Sequence, residues 1–314
     1  MKGDIKVFNI SSLGSSIPHT VKIIVEGMHG DVLHSQKLSD FVLTPNIDIQ
    51  MSMYGNSLLD ILISESYITP DLNLKLVTSN DPKEDATRLM GSIAEAVVVK
   101  YCNDYPEVNR ILGMHARAGQ IQHSILDQYV AVATGSLKTQ TNYQMHYNPC
   151  DTQRDILWVS KKDNCSQLLC INPKPSSNGG IAAGLQVKAS TNGIAYVVPN
   201  IKDYYFPVLY FDLENDFDRV EAAVRQKCET ARLIRPGEIH HEMKHVILGY
   251  YEIIKKLLNN EITIQRIIEA SRYTGDTTFL SGLSGGSAGE GTSLILPGYI
   301  KQTNGGWQAT TMFT

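Results

Sequence analysis

The order in which this chain deploys its apolar residues constrains its fold more than any other feature. Asp81-Pro82-Lys83-Glu84-Asp85 opens a helix, with Asp and Pro where an N-cap and first turn want them. Leu89, Ile93, Ala96, Val97 and Tyr101 follow at helical spacing. A second helix is expected over 120–134. Short β-rich runs come next, at 155–159, 167–171, 184–189, 194–198 and 208–211, and a long helical region follows over 216–270. Helix, strands and helix interleaved in this way predict a mixed α/β core. Ahead of it, residues 1–80 alternate β-rich runs at 6–10, 20–25, 31–33, 41–43, 47–53 and 72–77 with turn residues, which predicts a β-rich accessory region. The expected division is therefore 1–80, a core over 81–275, and a Gly/Ser-rich tail over 276–314 with one strand at 293–296.

Length and charge then bound the function. A chain of 314 residues with 42% apolar content can bury a substantial core and is not a disordered protein. It carries 28 basic and 32 acidic residues, a formal net charge of -4, so any nucleic-acid site must be local. Five cysteines without a CxxC pair argue against a disulfide framework or a Cys-rich zinc site. With no signal-like N-terminus and no long uncharged apolar run, the expectation is a soluble, cytoplasmic protein with no membrane partner.

The densest chemical signal lies in the middle of the chain. Glu95 stands on an apolar helix, Asp155 begins one hydrophobic run, and Gln186 and Lys188 stand two apart on another. Residues two apart on a strand share a face, so the amide and the ammonium project together. Two carboxylates, an amide oxygen and an ammonium are what a Mg²⁺-dependent phosphodiesterase needs. Mg²⁺ takes hard oxygen ligands and retains several waters. It lowers the pKa of a bound water, while a lysine orients that water or balances charge on the phosphate.

Glu95, Asp155-Ile156 and Leu185-Gln186-Val187-Lys188 together resemble the PD-(D/E)xK nuclease superfamily, in the variant where Gln replaces the acidic residue of the last motif. The resemblance covers roughly 85–215. It implies a restriction-endonuclease-like mixed central sheet flanked by helices, and cleavage of nucleic acid, DNA in the first instance, with Mg²⁺ or Mn²⁺. It implies Asp155 as main metal ligand, Gln186 as the second position, Lys188 as catalytic lysine and Glu95 as the acidic residue of the preceding helix. The Val187 carbonyl is a further oxygen for the metal. No proline precedes Asp155, and the segment 160–184 exceeds the usual hairpin, so it reads as an insertion. Asp151 is the alternative aspartate. By analogy with the family, the expected setting is restriction or anti-phage defence.

A rival signal is His241-Glu242-Met243-Lys244-His245, which fits HExxH and would make a zinc metallopeptidase with Glu269 as a third ligand. Lys244 speaks against it, because such helices keep that inner position uncharged. The glycines of 286–293 have the spacing of a phosphate loop but place Thr292 where the lysine belongs. Tyr204-Tyr205-Phe206 offers rings for base stacking, although core packing is their commoner use.

Charge is uneven along the chain. From Arg219 to Arg272 there are ten Lys or Arg against seven Glu, and Arg219, Arg225, Lys227, Arg232 and Arg235 are the candidate nucleic-acid contacts. Arg88, Arg110, His115 and Arg117 form a smaller second patch. A solvated helix face explains the same residues equally well. So does a docking face for a helicase or ATPase subunit or a second copy of the chain, the chain then being a non-catalytic nuclease-like subunit.

Overall fold

The computed structural model describes residues 8–11, 22–26, 32–37, 47–76, 78–79, 81–117, 123–162, 165–171, 180–272, 298–303 and 306–311. The chain divides into two compact units, Met1–Asp60 with Asn259–Thr314, and Ile61–Leu258. Among the described residues no helix is long and apolar enough to cross a membrane.

In the first unit, β1 (Phe8–Ser11), β2 (Lys22–Glu26) and β3 (Val32–Lys37) form an antiparallel sheet, with a register shift between Val25 and Glu26. The run 47–53 is not a strand. It opens α1 (Ile47–Ser64). Its Ile-Asp-Ile-Gln-Met-Ser-Met alternation mimics a period of two, but the buried positions continue as Met51, Tyr54, Leu58 and Leu62, which is the period of a helix. Run 41–43, tail strand 293–296 and the glycine loop 286–293 lie outside the described residues.

The second unit begins with α2 (Pro82–Asp104). As expected, Asp81 caps it, Oδ1 accepting from Lys83 N at 2.9 Å, and Pro82 fills the first turn. The next helix, α3 (Pro106–Ala116), is followed by a single turn at His123–Leu126 and then β4 (Tyr129–Ala133), so the predicted helix over 120–134 is mostly a strand. Tyr-Val-Ala-Val-Ala has helix formers in it, but pairing with β5 (Ile156–Ser160) decides the matter. The sheet continues through β6 (Gly184–Ser190), β7 (Val208–Asp212) and β8 (Leu233–Ile234). Its order is β4-β5-β6-β7-β8, antiparallel as far as β6 and parallel beyond it. This is an α/β fold with a five-stranded mixed sheet flanked by helices.

Run 194–198 proves to be a short helix, Gly193–Tyr196, and 167–171 makes only isolated bridges. The helical region over 216–270 is interrupted. It contains α4 (Phe217–Lys227), then β8, a turn of helix at Pro236–Ile239, and α5 (His241–Leu258). Pro236, which has no N–H to continue a helix, starts the second part. In the first unit, α6 (Ile264–Arg272) packs on α1, where a Cβ on Gly55 would meet Ile267 Cγ2 at 3.0 Å. The unit's last elements are β9 (Gly298–Thr303) and β10 (Gly306–Thr311), an antiparallel pair.

Each face of the five-stranded sheet has its own cover. Fully buried Trp158 donates its Nε1–H to Asn109 Oδ1 of α3 at 2.7 Å, which fixes α3 on the face of Ile156 and Trp158. The opposite face carries Val208 and Tyr210, which pack with Val197, Ile201 and, from α4, Phe217, Val220 and Val224. Leu157 and Val159 continue that second face with Val132. Gly193 lies under this cluster, since a Cβ there would come within 2.5 Å of the Tyr210 hydroxyl. Asp216 ties the corner together, accepting from Tyr210 Oη and Gly193 N, both at 2.7 Å.

Candidate active site

Sheet topology generates the site. β5 and β6 pair at only two positions, Ile156 with Leu185 and Leu157 with Gly184. One step further along this register brings Asp155 opposite Gln186, and there the partnership ends. From Gln186 onward β6 pairs with β7 instead, Gln186 facing Val208 and Lys188 facing Tyr210. The strands fork at Asp155. Its backbone is still held, N donating to Leu185 O at 2.8 Å, while its side chain bridges the opening.

Asp155 Oδ2 accepts from Gln186 Nε2 at 2.5 Å and from Val187 N at 2.7 Å, and lies 3.7 Å from Lys188 Nζ. Oδ1 accepts no hydrogen bond among the described residues. The Asp155 and Lys188 side chains are only 14% and 15% exposed, so the ion pair works in a poorly screened setting. Burial raises the Asp155 pKa, against which Lys188 and the Val187 N–H pull it down.

Gln186 is 2% exposed, and its Oε1 is buried without a hydrogen-bond partner. A buried orphan carbonyl oxygen costs about 1–3 kcal/mol, a strain usually kept only where something else uses the atom. Glu95 comes from the middle of α2 and is partly buried. Burial pushes its carboxyl up to about 8, the nearby Asp155 charge adds to this, and Lys188 opposes it. The four residues singled out in the sequence thus interact in one place. Glu65 also acts on Glu95, and no motif announces it; its carboxylate accepts from Ser136 Oγ at 2.8 Å and Leu137 N at 2.9 Å.

Asp151 has other work. Its Oδ1 accepts from Gln153 N at 2.9 Å and Arg154 N at 3.1 Å, and its Oδ2 binds the Arg154 guanidinium at 2.9 Å. This is an Asx-type turn closed by an ion pair, and it aims the chain into Asp155. The aliphatic part of Arg154 lies across Gly184, where a Cβ would meet its Cγ at 2.5 Å. Gly184 is thereby required for the close approach that brings β6 under the turn.

The HExxH segment lies at the start of α5. Burial raises Glu242 to about 8 and lowers His240 to about 4, and it also lowers His245. His241 Nε2 stands 3.9 Å from Glu242 Oε1. Lys244, the residue that argued against a zinc helix, reaches away to buried Asp212, 3.1 Å from Oδ1, and to Asn215 Oδ1 at 3.2 Å. Glu269 is in α6, in the first unit, where it accepts from Gln265 Nε2 at 3.0 Å. Among the described residues no three His, Cys, Asp or Glu side chains converge as a ready metal site.

Several candidate phosphate contacts are engaged within the protein. Arg225 pairs with Glu221 at 2.7 Å, and Lys227 donates to Pro199 O at 2.7 Å. Arg235 pairs with Asp218 and lies 4.0 Å from the Phe217 ring centroid. Arg219 and Arg232 are exposed. In the second patch Arg110 chelates Asp127 at 2.7 and 2.8 Å, while Arg117 is a core residue, 1% exposed, donating to Cys170 O at 3.1 Å.

No family model matches the chain, and no curated protein or solved structure matches it significantly.

Proposed function

We propose that the chain is a Mg²⁺-dependent nuclease of PD-(D/E)xK type, in its QxK variant, with a restriction-endonuclease-like core that hydrolyses phosphodiester bonds, DNA first among them. The observation that carries this reading is the register of the strand fork. Asp155 stands opposite Gln186 where the two strands part, Lys188 follows on the same face, and Glu95 interacts with both charges.

The donor set fits a hard divalent cation. Asp155 Oδ1 without a hydrogen bond, the orphan Oε1 of Gln186 and the Glu95 carboxyl are oxygens of the kind Mg²⁺ prefers, and the Val187 carbonyl is a fourth candidate. When bound, such an ion supplies an activated water and positive charge beside a phosphate. Lys188 is held at the fork by Asp155, in place to steer a water or balance charge on the phosphate oxygens. Without metal, burial holds the Glu95 carboxyl up at about 8, so a cation bound there would displace its proton. A role in restriction or anti-phage defence follows by analogy with stand-alone enzymes of this type.

The test is incubation of plasmid and of single strands with and without Mg²⁺, beside Lys188→Ala and Asp155→Ala. Cleavage should need the metal and vanish in both variants, with their circular dichroism unchanged. Cleavage that survives EDTA, or that Lys188→Ala retains, overturns the proposal.

A further inference from the structure

Tyr204, Tyr205 and Phe206 occupy three consecutive positions before β7, and the fold treats them differently. Phe206 is buried, whereas the Tyr204 ring is half-buried with its centroid 5.6 Å from Lys188 Nζ. Tyr205 is 64% exposed. Tyr196, at the end of the short helix Gly193–Tyr196, is also exposed and lies within electrostatic reach of Tyr204.

An exposed ring on a loose loop means little, but this segment is braced. Gln153 holds it twice, Nε2 donating to Asp203 O and Oε1 accepting from Tyr205 N, both at 3.0 Å. The Arg154 guanidinium lies 5.7 Å from the Phe206 ring centroid. Gln153 and Arg154 belong to the turn that Asp151 closes and that delivers Asp155 to the fork. The tyrosines and the reacting carboxylate are therefore fastened to one support. A backbone held this way has little conformational freedom left to lose on binding, and a tyrosine side chain adds only two rotatable bonds.

Charge points in the same direction. Proteins that grip duplex do so largely through phosphate contacts from Lys and Arg. Here Arg154, Arg225, Lys227 and Arg235 are already committed to partners in the protein, which leaves Arg219 and Arg232 of the five candidate contacts, and the chain is acidic overall. Aromatic stacking supplies affinity without such charges, and only unpaired bases present both faces for it.

We infer that Tyr205, with Tyr204 and Tyr196 beside it, is a stacking platform for unpaired nucleobases, and that the substrate class is single-stranded or locally unwound nucleic acid. The inference rests on the nuclease reading and narrows it. Tyr205 here is a positioning and specificity residue; bond cleavage is left to the residues at the fork.

The experiment uses the Lys188→Ala protein, which on the nuclease reading should not cut its substrate, and fluorescence anisotropy of a labelled oligothymidylate and of a duplex of equal length, with Mg²⁺ present. The single strand should bind at least about tenfold more tightly than the duplex. Adding Tyr205→Ala should weaken single-strand binding by about tenfold or more, while Tyr205→Phe, which keeps the ring, should not. Because the side chain is exposed, the thermal midpoint should not move. Unchanged binding by Tyr205→Ala, or duplex binding as tight as single-strand binding, overturns the inference. If Lys188-dependent cleavage persists in that case, the nuclease reading stands alone; if the wild-type protein neither cuts nor binds any nucleic acid, both fall.

Discussion

Glu95→Gln should make the protein more stable at alkaline pH. The physical source is the burial that raises this carboxyl from 4.5 to about 8, reinforced by Asp155. Below pH 4.5 the folded and unfolded chains both carry the proton, so the group costs nothing. Between 4.5 and about 8 the folded chain retains a proton that the unfolded chain has released, and stability falls as pH rises. Above that range the cost is constant. A displacement of this size corresponds to roughly 4–5 kcal/mol, and allowing about half for residual solvent contact leaves about 2 kcal/mol. For a unit of this length that is about 4–8 °C in thermal midpoint. Glutamine keeps the shape and cannot ionise, so the variant escapes the cost. Thermal unfolding in EDTA should show the gain at about pH 8.5 and almost none at about pH 5. Glu242 is also raised to about 8 but titrates in both proteins, so the difference between them isolates Glu95. Equal midpoints at about pH 8.5, or a gain that persists undiminished at about pH 5, would refute the reasoning.

Other consequences can be checked directly. Mg²⁺ affinity, measured by calorimetry, should increase as pH rises toward 8 and be accompanied by proton release, since the Glu95 proton must leave before its oxygens can bind a cation; a pH-independent affinity contradicts this. Asp151→Ala should cost about 1–3 kcal/mol in a denaturant titration, because two backbone N–H groups and the Arg154 guanidinium lose their acceptor. Gly193→Ala should be among the more harmful single-methyl insertions, on the order of 1–3 kcal/mol, because the new Cβ collides with Tyr210 and Val220 at 2.5–2.6 Å. Asn109→Ala strands the indole N–H of fully buried Trp158, so the loss of about 1–3 kcal/mol should appear together with a change in tryptophan fluorescence.

The legible parts of the sequence are those where local chemistry and tertiary demand agree. Helix α2 announces itself because Asp81 and Pro82 satisfy the first turn whatever else is present. Strands β5 and β7 are apolar but for their last residues, Ser160 and Asp212, as central strands buried on both faces tend to be, while β6 breaks its apolar run with Gln186 and Lys188. Strand β4 is harder, because alanines in an edge strand carry a helical preference that only pairing with β5 overrides. The alternation at 47–53 misleads for the opposite reason, since Asp48, Gln50 and Ser52 happen to fall at a period of two inside a helix. At the site, Gln186 and Lys188 share a face simply because they are two apart on a strand. That Asp155 would stand opposite Gln186 depends on where a pairing across 31 residues stops, which no local pattern encodes. The tyrosines were visible as a cluster, yet only the fold assigns Phe206 to the core and Tyr205 to solvent.

The fork also governs when the candidate site comes together during the life of the chain. Asp155 and Gln186 are set opposite by the antiparallel half of the sheet, while β6 from Gln186 onward is paired by β7 in parallel, so the site needs both halves. A chain still emerging from the ribosome holds all four side chains without the arrangement that the fork imposes on them. That arrangement arrives only with the completed, cooperative native state.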